Sequence, residues 1–532
     1  MSQRLDFDIA VIGASLGGTL AALTACQRGH TVYLCNAFDW LGGQMTAQGV
    51  PPDEHHHIEQ GGASASYLAF RQAVRAHYAA RPGFVDRSVF TEGCNPGDGW
   101  VSRLCFEPAW AAQWFEAQLA PYASTGQLTL HRGTALQSAQ RSGRSITSVR
   151  VANQAGNTFE IVAPYFLDAT DTGDLILEAG LTYCVGKESR LEWDEPLAPQ
   201  DADRLDQQPV THVMALRRHP QPGPVIAAPA SYAFWKSYVL PHYGYPLFSN
   251  AIPGKGLQAL HLPFFAPTPD PADKALDLWR YRRVVASHMW DTPVDEVSLI
   301  NWAQNDYALN PLLDGPMPTH QVKLEARELS LCWLHWLQTE APRNSDGLGG
   351  NAQKGYPELQ PAPDILGTPD GLAQQVYVRE SRRIVGMETL TQTMVAADAG
   401  EPLQPVNMPN SVGVAWYNMD IHPTCISGHG LNAHVRPFTL PLGVFVARDC
   451  DNLIPACKNI SVSHLVNACT RVHPVEWLIG EVAALLASDC LRRGLTPAAI
   501  HAAQQETQTL QHLLTTHGIA LAWDAQLFPP SP

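Results

Sequence analysis

The N-terminal segment constrains the fold more than any other part of the chain. Residues 8–12 (DIAVI) form a short apolar run of the kind that makes a buried parallel strand. A glycine-rich turn follows at residues 13–18, then an alanine-rich stretch at residues 19–28, and then a second apolar run that begins at Thr31. A strand, a glycine-rich turn, a helix and a strand within about 30 residues predict a dinucleotide-binding unit.

Each glycine of this turn has an expected physical role. Gly13 would make the tight turn, whereas Gly17 and Gly18 would let the helix and the backbone approach closely, so that N–H groups at the start of the helix hold a pyrophosphate. The pattern departs from the usual one at Ser15, which replaces its second glycine, and at Asn36, which replaces the acidic residue that binds ribose. The alternative is a glycine-rich turn without a ligand.

Charge and composition exclude several classes of protein. The chain has 532 residues, with 35 basic and 50 acidic side chains and a formal net charge of −15. Phosphate contacts need clustered Lys and Arg, so we expect no nucleic-acid partner. Hydrophobic residues make up 45% of the chain, which excludes disorder as the main state. The length suits two or three domains, or one large α/β domain with a cap.

Neither a membrane span nor a disulfide scaffold is expected. No run of about 20 apolar residues occurs, and the first eight residues lack the pattern of a signal peptide. The eleven cysteines are odd in number and include no C-x-x-C pair, so we expect reduced thiols, a cytoplasmic location and no disulfide-reductase chemistry. The absence of a second complete G-x-G-x-x-G unit argues against a built-in NAD(P)H domain.

Two further segments indicate which nucleotide binds. Residues 39–44 (DWLGGQ) contain a glycine pair that leaves backbone N–H groups free for a second phosphate or for the flavin side of a long cofactor. Residues 165–175 read as a strand that ends in a polar turn with Gly173 and Asp174, and Asp174 would face the ribitol hydroxyls of a flavin.

Together with residues 377–383 and 452–481, these segments resemble the FAD-dependent oxidoreductases that have a glutathione-reductase-type FAD domain. The resemblance implies an α/β fold, in which a Rossmann-like FAD-binding domain with a parallel sheet in ββα layers carries an inserted α+β substrate or cap domain. The implied domains are an FAD-binding domain in two parts (1–184 and 376–490), a substrate or cap domain (185–375) and a C-terminal helical tail (491–532).

FAD is the cofactor that the resemblance implies. The residues expected to contact it are Gly13, Ser15, Gly17, Gly18, Asn36, Gly42, Gly43, Gln44, Arg103, Ala135, Asp168, Thr170, Gly173, Asp174, Lys458, Ser461, Val475 and Glu476.

The C-terminal half of the implied site lies in a turn and a helix start. Lys458 stands where the family usually has Gly-Arg, and its charge could meet the diphosphate without the bidentate fork of arginine. Pro474 suits a first helical turn, which would leave the N–H groups of Val475 and Glu476 for the flavin pyrimidine edge and for negative charge on reduced flavin. The alternative is an ordinary core helix that starts at a proline.

Four residues are candidates for catalysis. His464 and Arg471 flank the expected flavin helix, and His429 and His434 lie on the loop before it. Each histidine could act as acid or base, and Arg471 could clamp a carboxylate or oppose negative flavin charge. The alternatives are structural histidines and a buried salt bridge.

Other patterns point more weakly to chemistry. The charge run at residues 379–383 is either a paired network between domains or a group near the cofactor. Seven of the 14 tryptophans lie between residues 193 and 336, where they form either part of the core or a planar pocket. The histidine triplet at residues 55–57 favours a polar loop near the active site. The spacing of His422, Cys425, His429 and His434 would suit zinc, but we expect no metal.

The expected function is that of a soluble FAD-dependent dehydrogenase, oxidase or reductase acting on a small organic molecule by hydride transfer to or from flavin N5. Electrons would pass to oxygen, a quinone or a protein partner, and the chain would be a monomer or a homodimer. One alternative is a flavin monooxygenase that uses NAD(P)H and oxygen. Another is a flavin-binding sensor or assembly protein without catalysis.

Overall fold

Five parallel strands form the sheet that carries the glycine-rich turn. The computed structural model describes residues 3–254, 258–265, 274–343, 354–397 and 403–528. In spatial order the strands are Leu453–Pro455, Tyr165–Asp168, Ile9–Ile12, Val32–Asn36 and Leu128–Arg132. The first of these comes from the C-terminal part of the chain, so the chain returns to this sheet after nearly 300 intervening residues.

A second sheet and a pair of helices cover the two faces of this parallel sheet. The second sheet has the order Gln3–Asp6, Thr158–Val162, Ser145–Asn153 and Thr134–Ser142. Its apolar side chains form one core with the inner side chains of the parallel sheet. Helices Leu16–Gln27 and His473–Arg493 pack on the other face. The expected ββα layering is confirmed.

A separate region has an antiparallel sheet and one long helix. The strands lie in the order Arg283–Val285, Glu296–Ile300, Met214–Arg218 and Leu359–Pro361, and helix Thr319–Thr339 shares their hydrophobic core. The buried tryptophans of this region belong to that core, as the stacking of Trp333 on Trp336 at 5.0 Å illustrates. The core interpretation therefore replaces the planar pocket.

The remaining elements are short or peripheral. The two-stranded sheets pair Val210–Thr211 with Asp306–Tyr307, Ala251–Pro253 with Ala259–His261, Tyr183–Cys184 with Arg383–Ile384, Ser411–Ala415 with Phe438–Pro441, and Met419–Ile421 with Leu431–Ala433. Further α-helices are Ala65–Ala79, Pro108–Ser124, Asp174–Glu178, Arg190–Trp193, Tyr232–Ser237, Leu278–Tyr281, Pro363–Leu366, Gln392–Val395, His464–Thr470, Pro497–Ala502 and Gln504–Thr516. Short 3-10 helices lie at Gly43–Met45, Ser287–Met289, Ala303–Asn305, Leu442–Phe445 and Ala525–Leu527.

Capping decides where the two central helices begin and end. The first helix starts at Leu16, three residues earlier than expected, because the Ser15 hydroxyl caps it. The last long helix runs on to Arg493 and ends at Gly494, which has a φ of +66°. In the part of the chain that the structure describes, no helix is both long and apolar enough to cross a bilayer. The domain boundaries stay a prediction.

Candidate cofactor and substrate site

The glycine turn brings two strands and a helix into contact. Gly13 has a φ of +100°, and a Cβ at this position would lie 2.4 Å from the carbonyl oxygen of Ala169 on the neighbouring strand end. A Cβ on Gly18 would lie 2.2 Å from the carbonyl oxygen of Gly13. Both positions therefore require glycine because backbone atoms occupy the space of a side chain.

The start of the first helix keeps one N–H group open. The Gly18 N–H donates to the Ser15 hydroxyl at 3.2 Å, and the Gly17 N–H donates to the Glu476 carboxylate at 3.3 Å. The Thr19 N–H donates to the Ser15 carbonyl oxygen at 2.9 Å. Of the first four helix N–H groups, only that of Leu16 has no acceptor within the described residues.

The glycine pair lies against this open N–H group. Gly43 has a φ of +46°, and a Cβ on it would lie 2.8 Å from the Leu16 nitrogen, so any side chain would cover that group. The next residue, Gln44, is fully buried, and neither polar atom of its amide has a partner among the described residues. An open helix N–H and an unpartnered buried amide are groups that the diphosphate and the flavin of FAD would satisfy.

At the ribose end, Asn36 is partly used by the protein itself. Its side-chain N–H groups donate to the carbonyl oxygens of Phe38 and Trp40, each at 2.8 Å. Only its side-chain oxygen is left for a ribose hydroxyl. Ala135 is exposed at the start of a strand, three residues after Arg132, which pairs with Asn36. The adenosine contacts of Asn36 and Ala135 stay predictions.

Asp168 and Thr170 hold the second turn together. The Asp168 carboxylate accepts hydrogen bonds from the Thr170 N–H at 3.0 Å, the Thr170 hydroxyl at 2.7 Å and the Ile176 N–H at 2.9 Å. Burial raises the pKa of Asp168 to about 6. A Cβ added at Gly173 would lie 2.6 Å from the Arg382 carbonyl oxygen. These residues shape the turn, and their polar atoms are bonded within it.

The Asp174 carboxylate is used within the protein. It pairs with Arg382 at 3.2 Å and is about half exposed, and its expected contact with the ribitol hydroxyls stays a prediction. Asp171 points into the site, where it accepts from Lys458 at 2.6 Å and from the Gln375 amide at 3.3 Å.

Lys458 is enclosed by carboxylates. Its ammonium group bonds to Asp171 and, at 3.2 Å, to Glu476, and the side chains of Lys458 and Glu476 are fully buried. Burial opposes the charge on Lys458, but Asp171 and Glu476 outweigh it and raise the pKa of Lys458 well above its usual value. The expected direct contact with a diphosphate is corrected, since this charge is already compensated. Although Asp171, Cys457 and Glu476 could together ligate a metal, the ammonium group is the cation that lies beside them.

The start of the final helix differs from the expectation as well. The N–H groups of Val475 and Glu476 both donate to the Val472 carbonyl oxygen, at 3.1 and 2.9 Å, so neither is free for a flavin. The His473 ring instead accepts from the Asp53 N–H at 3.1 Å and donates to the Val50 carbonyl oxygen at 3.0 Å. Burial lowers the pKa of His473 to about 4, which keeps the ring neutral.

Beyond His473 lies a set of polar side chains that we call the arginine–tyrosine cluster: Asp53, Tyr281, Arg282, Tyr377, Tyr417, Asp420 and Arg471. Arg471 donates to the Tyr377 hydroxyl and to the Asp420 carbonyl oxygen, each at 2.7 Å. Burial, followed by the charges of Asp53 and Asp420, raises the pKa of Tyr417 well above its usual value. Tyr281, Tyr417 and Asp420 keep part of their surface accessible, so the cluster can be reached from outside.

His422 extends this cluster. Its Nδ1 lies 2.6 Å from a carboxylate oxygen of Asp306, and its Nε2 lies 3.6 Å from a carboxylate oxygen of Asp420. The other Asp306 oxygen accepts from Arg379 at 2.9 Å. Burial opposes the charge on Asp306, but Arg379 and His422 outweigh it and lower the pKa of Asp306 below its usual value.

The other candidate histidines lie elsewhere. His464 is buried, and its ring contacts Glu188 at 2.7 Å, which in turn pairs with Arg383 at 2.6 Å, as in a structural ion pair. His429 is exposed and stacks on His242 at 4.2 Å. His434 is exposed too. The catalytic interpretation of His429 and His434 is not supported by their surface positions.

The metal patterns do not come together. Within the described ranges, no metal-type group of His, Cys, Asp and Glu includes His422, Cys425, His429 or His434. The histidine triplet at residues 55–57 packs against Trp416, Trp523 and Phe528.

The charge run at residues 379–383 forms the paired network that was one of its two interpretations. Arg379 pairs with Asp306, Arg382 with Asp314, and Arg383 with Glu188.

Two expected cofactor residues have other neighbours. Ser461 is buried, and its hydroxyl accepts from the Gly386 N–H at 3.0 Å. Arg103 is half-buried and lies near His56, whose pKa is lowered by burial, then by His57 and by Arg103. The structure thus gives Ser461 a structural contact, and the cofactor contact of Arg103 stays a prediction.

Sequence reasoning missed Asp53, Asp171, Arg282 and Gln375. They lie on four separate segments, and no spacing between them signals a common site. Asp171 was the easiest to find, because it lies in the polar turn that the sequence already singled out.

Comparison with solved structures shows several flavoproteins with low similarity. An L-proline dehydrogenase from P. horikoshii is 18% identical, with a TM-score of 0.19, over 32% of this chain and 23% of that one. The flavin-dependent monooxygenase PieE, in complex with FAD and substrate, is 15% identical, with a TM-score of 0.23, over 41% and 35%. A geranylgeranyl bacteriochlorophyll reductase-like protein from Thermoplasma acidophilum is 9% identical, with a TM-score of 0.32, over 97% and 85%. The match spans less than half the length of the first two proteins, and none of these values transfers a reaction to this chain.

Sequence comparison assigns the family. A search of curated proteins gave no match. The family model described as FAD dependent oxidoreductase matches residues 8–514, which is nearly the whole chain. The glycine cradle, the open Leu16 N–H and the unpartnered Gln44 amide fit the cofactor of that family. The chain therefore belongs to the FAD-dependent oxidoreductases, enzymes whose cofactor is FAD.

Proposed function

We propose that this protein oxidises or reduces a small organic molecule by hydride transfer to or from FAD, with the arginine–tyrosine cluster as the substrate site. The electrons are exchanged with a separate partner, which is oxygen, a quinone or another protein. One observation carries the proposal: the cofactor cradle and the cluster adjoin. The Asp53 N–H bonds to His473 at the start of the final helix, and Gln375, two residues before Tyr377, bonds to Asp171.

The chain supplies binding and orientation. FAD, when bound, supplies a two-electron carrier. The Leu16 N–H and the glycine pair would hold its diphosphate, and the Gln44 amide would form hydrogen bonds with a polar edge of the flavin. Arg471 fixes the Tyr377 hydroxyl by a 2.7 Å hydrogen bond, which holds one wall of the substrate site in place.

His422 is the group that we assign to proton transfer. Because an ionised carboxylate only accepts hydrogen bonds, Nδ1 of His422 carries the proton that it shares with Asp306. Nε2 is then free to take up or release a proton on the side of Asp420. Asp306 stabilises the protonated ring, and Arg379 keeps Asp306 ionised.

The first experiment measures the cofactor. The purified protein should show the visible bands of oxidised flavin, and heat release should yield FAD. A protein that holds no FAD and takes up none would contradict the proposal.

The second experiment measures the proposed reaction. Under anaerobic conditions, a panel of small organic reductants is mixed with the FAD-loaded protein, and bleaching of the flavin bands is followed. Loss of a general acid or base slows such a step by about 100-fold or more, so His422→Asn should bleach that much more slowly than the parent with the same reductant. The exposed His512, replaced by asparagine, should not change the rate. Equal rates for His422→Asn and the parent would exclude the assigned role.

A further inference from the structure

Arg282 has far weaker hydrogen bonds than the two arginines beside it. Arg280 donates to Asp277 at 2.7 Å, and Arg283 donates to Glu296 at 2.7 Å and to the Gly97 carbonyl oxygen at 2.9 Å. The two Arg282 contacts, with Asp53 and with the Tyr281 hydroxyl, are both 3.4 Å long. Charge-assisted hydrogen bonds are usually about 2.7–2.9 Å long. Arg282 therefore lacks a close partner, although it is only 7% exposed.

The spare hydrogen-bonding capacity of Arg282 is large. A guanidinium group has five N–H donors in a planar fork. The Nε of Arg282 is buried and has no acceptor among the described residues. A buried charged donor without an acceptor is costly, and such groups in native proteins are normally satisfied by a ligand or by water. Arg282 is thus a binding group that the chain itself leaves unsatisfied.

The surroundings of Arg282 hold it in position and keep it reachable. Its guanidinium lies 4.8 Å from the centre of the Tyr281 ring, which limits its rotation. Tyr281 and Tyr417 are only half-buried, so this side of the cluster keeps contact with solvent. Asp53, which contacts Arg282, also bonds to His473 at the start of the final helix. A molecule bound to Arg282 would therefore lie beside the cofactor cradle.

We propose that the substrate carries a carboxylate group and that the Arg282 fork, with the Tyr281 hydroxyl, binds it. A carboxylate matches the guanidinium fork in shape and accepts two parallel hydrogen bonds. The Arg282 charge is only loosely paired, since its contact with Asp53 is 3.4 Å long, and the nearby carboxylates of Asp53 and Asp420 disfavour a ligand with several negative charges. A single carboxylate therefore suits the cluster better than a polyphosphate. This inference rests on the proposed function, because it names the substrate class for that same site.

The test compares matched pairs of molecules that differ only in charge. Benzoate with benzamide, and acetate with acetamide, are titrated into the FAD-loaded protein, and binding is followed by calorimetry and by perturbation of the visible flavin spectrum. Loss of one charge-assisted hydrogen bond weakens binding by about tenfold or more. At least one carboxylate should therefore bind about tenfold more tightly than its amide. If neither carboxylate binds more tightly than its amide, the inference is overturned.

Three variants make the test specific. Arg282→Leu should bind the carboxylate no more tightly than the amide, whereas Arg87→Leu, which removes an arginine from an exposed ion pair with Asp291, should keep the preference. Tyr281→Phe keeps the ring and removes only the hydroxyl, so it should weaken carboxylate binding even if Arg282→Leu fails to fold. A full preference that survives in Arg282→Leu, or carboxylate binding that is unchanged in Tyr281→Phe, would contradict the inference. FAD content is measured on every variant, because a protein without FAD would contradict the proposed function, whereas a loaded protein without the preference contradicts only the carboxylate.

Discussion

The Glu476 carboxylate accepts a hydrogen bond from the Gly17 N–H at 3.3 Å, which joins the start of the final helix to the start of the first. The same carboxylate bonds to Lys458 at 3.2 Å. One N–H that the glycine pattern assigns to a phosphate is thus used by the protein. The approach of the two helices is close enough that a Cβ on Gly480 would lie 2.1 Å from the Gly17 carbonyl oxygen.

Lys458 is expected to be essential for stability. Lys458→Met would leave Asp171 and Glu476 buried without their cation, and removal of one partner of a buried pair costs roughly 3–5 kcal/mol. Urea denaturation should show a loss of this size in the free energy of unfolding. Lys236→Met, which breaks a half-exposed pair with Glu340, should cost less than about 1 kcal/mol. Equal losses in both variants would contradict the prediction.

Gly43→Ala is expected to weaken FAD binding. Its Cβ would cover the Leu16 N–H at 2.8 Å, so the affinity should fall by about tenfold, which corresponds to about 1.4 kcal/mol. Titration of FAD into the cofactor-free protein measures this change. Gly143→Ala is the matched control, since Gly143 also has a positive φ (+59°) but nothing lies within 4 Å of its Cβ position. An unchanged affinity in Gly43→Ala would mean that the diphosphate binds elsewhere.

Acid is expected to destabilise the protein partly through His212. Burial lowers the pKa of this histidine from its ordinary value of 6.5 to about 4. As the pH falls from about 6.5 to about 4, the unfolded chain binds a proton that the folded protein does not, so stability is lost in that window. The loss amounts to roughly 3 kcal/mol for this group. Urea denaturation at several pH values should show a shallower decline in His212→Asn than in the parent. The exposed His320, replaced by asparagine, should leave the decline unchanged.

Arg71 and Glu54 form a buried ion pair, and we expect that removing both charges costs less stability than removing one. Both side chains are fully buried, and Arg71 also bonds to Glu59 at 2.7 Å. Arg71→Met should lower the free energy of unfolding by roughly 3–5 kcal/mol, because it leaves the Glu54 carboxylate buried without a cation, with the Tyr67 hydroxyl as its remaining donor. The double variant Arg71→Met with Glu54→Leu should recover part of that loss. A double variant less stable than Arg71→Met would contradict this explanation.

The sequence by itself determined the nucleotide-binding unit and the family. The turn at residues 13–18, the helix after it and the two strands around it depend on interactions within about 30 residues, so their spacing is enough to predict them. The sequence also predicted an inserted α+β domain at residues 185–375, and its boundaries stay a prediction. The tryptophans of residues 193–336 could not be assigned to core or pocket from sequence, because that choice depends on what covers them.

Only the tertiary structure decided which polar groups point into the site. In one turn, Asp171 contacts Lys458 whereas Asp174 pairs with Arg382. These two partners come from segments that are far from the turn, and from each other, in the sequence. The arginine–tyrosine cluster joins residues as distant as Asp53 and Arg471, and no local spacing encodes such a meeting. Local sequence fixes backbone geometry over a few turns, whereas the direction of a buried charge is set by the partner that removes its desolvation cost, and that partner comes from another part of the fold.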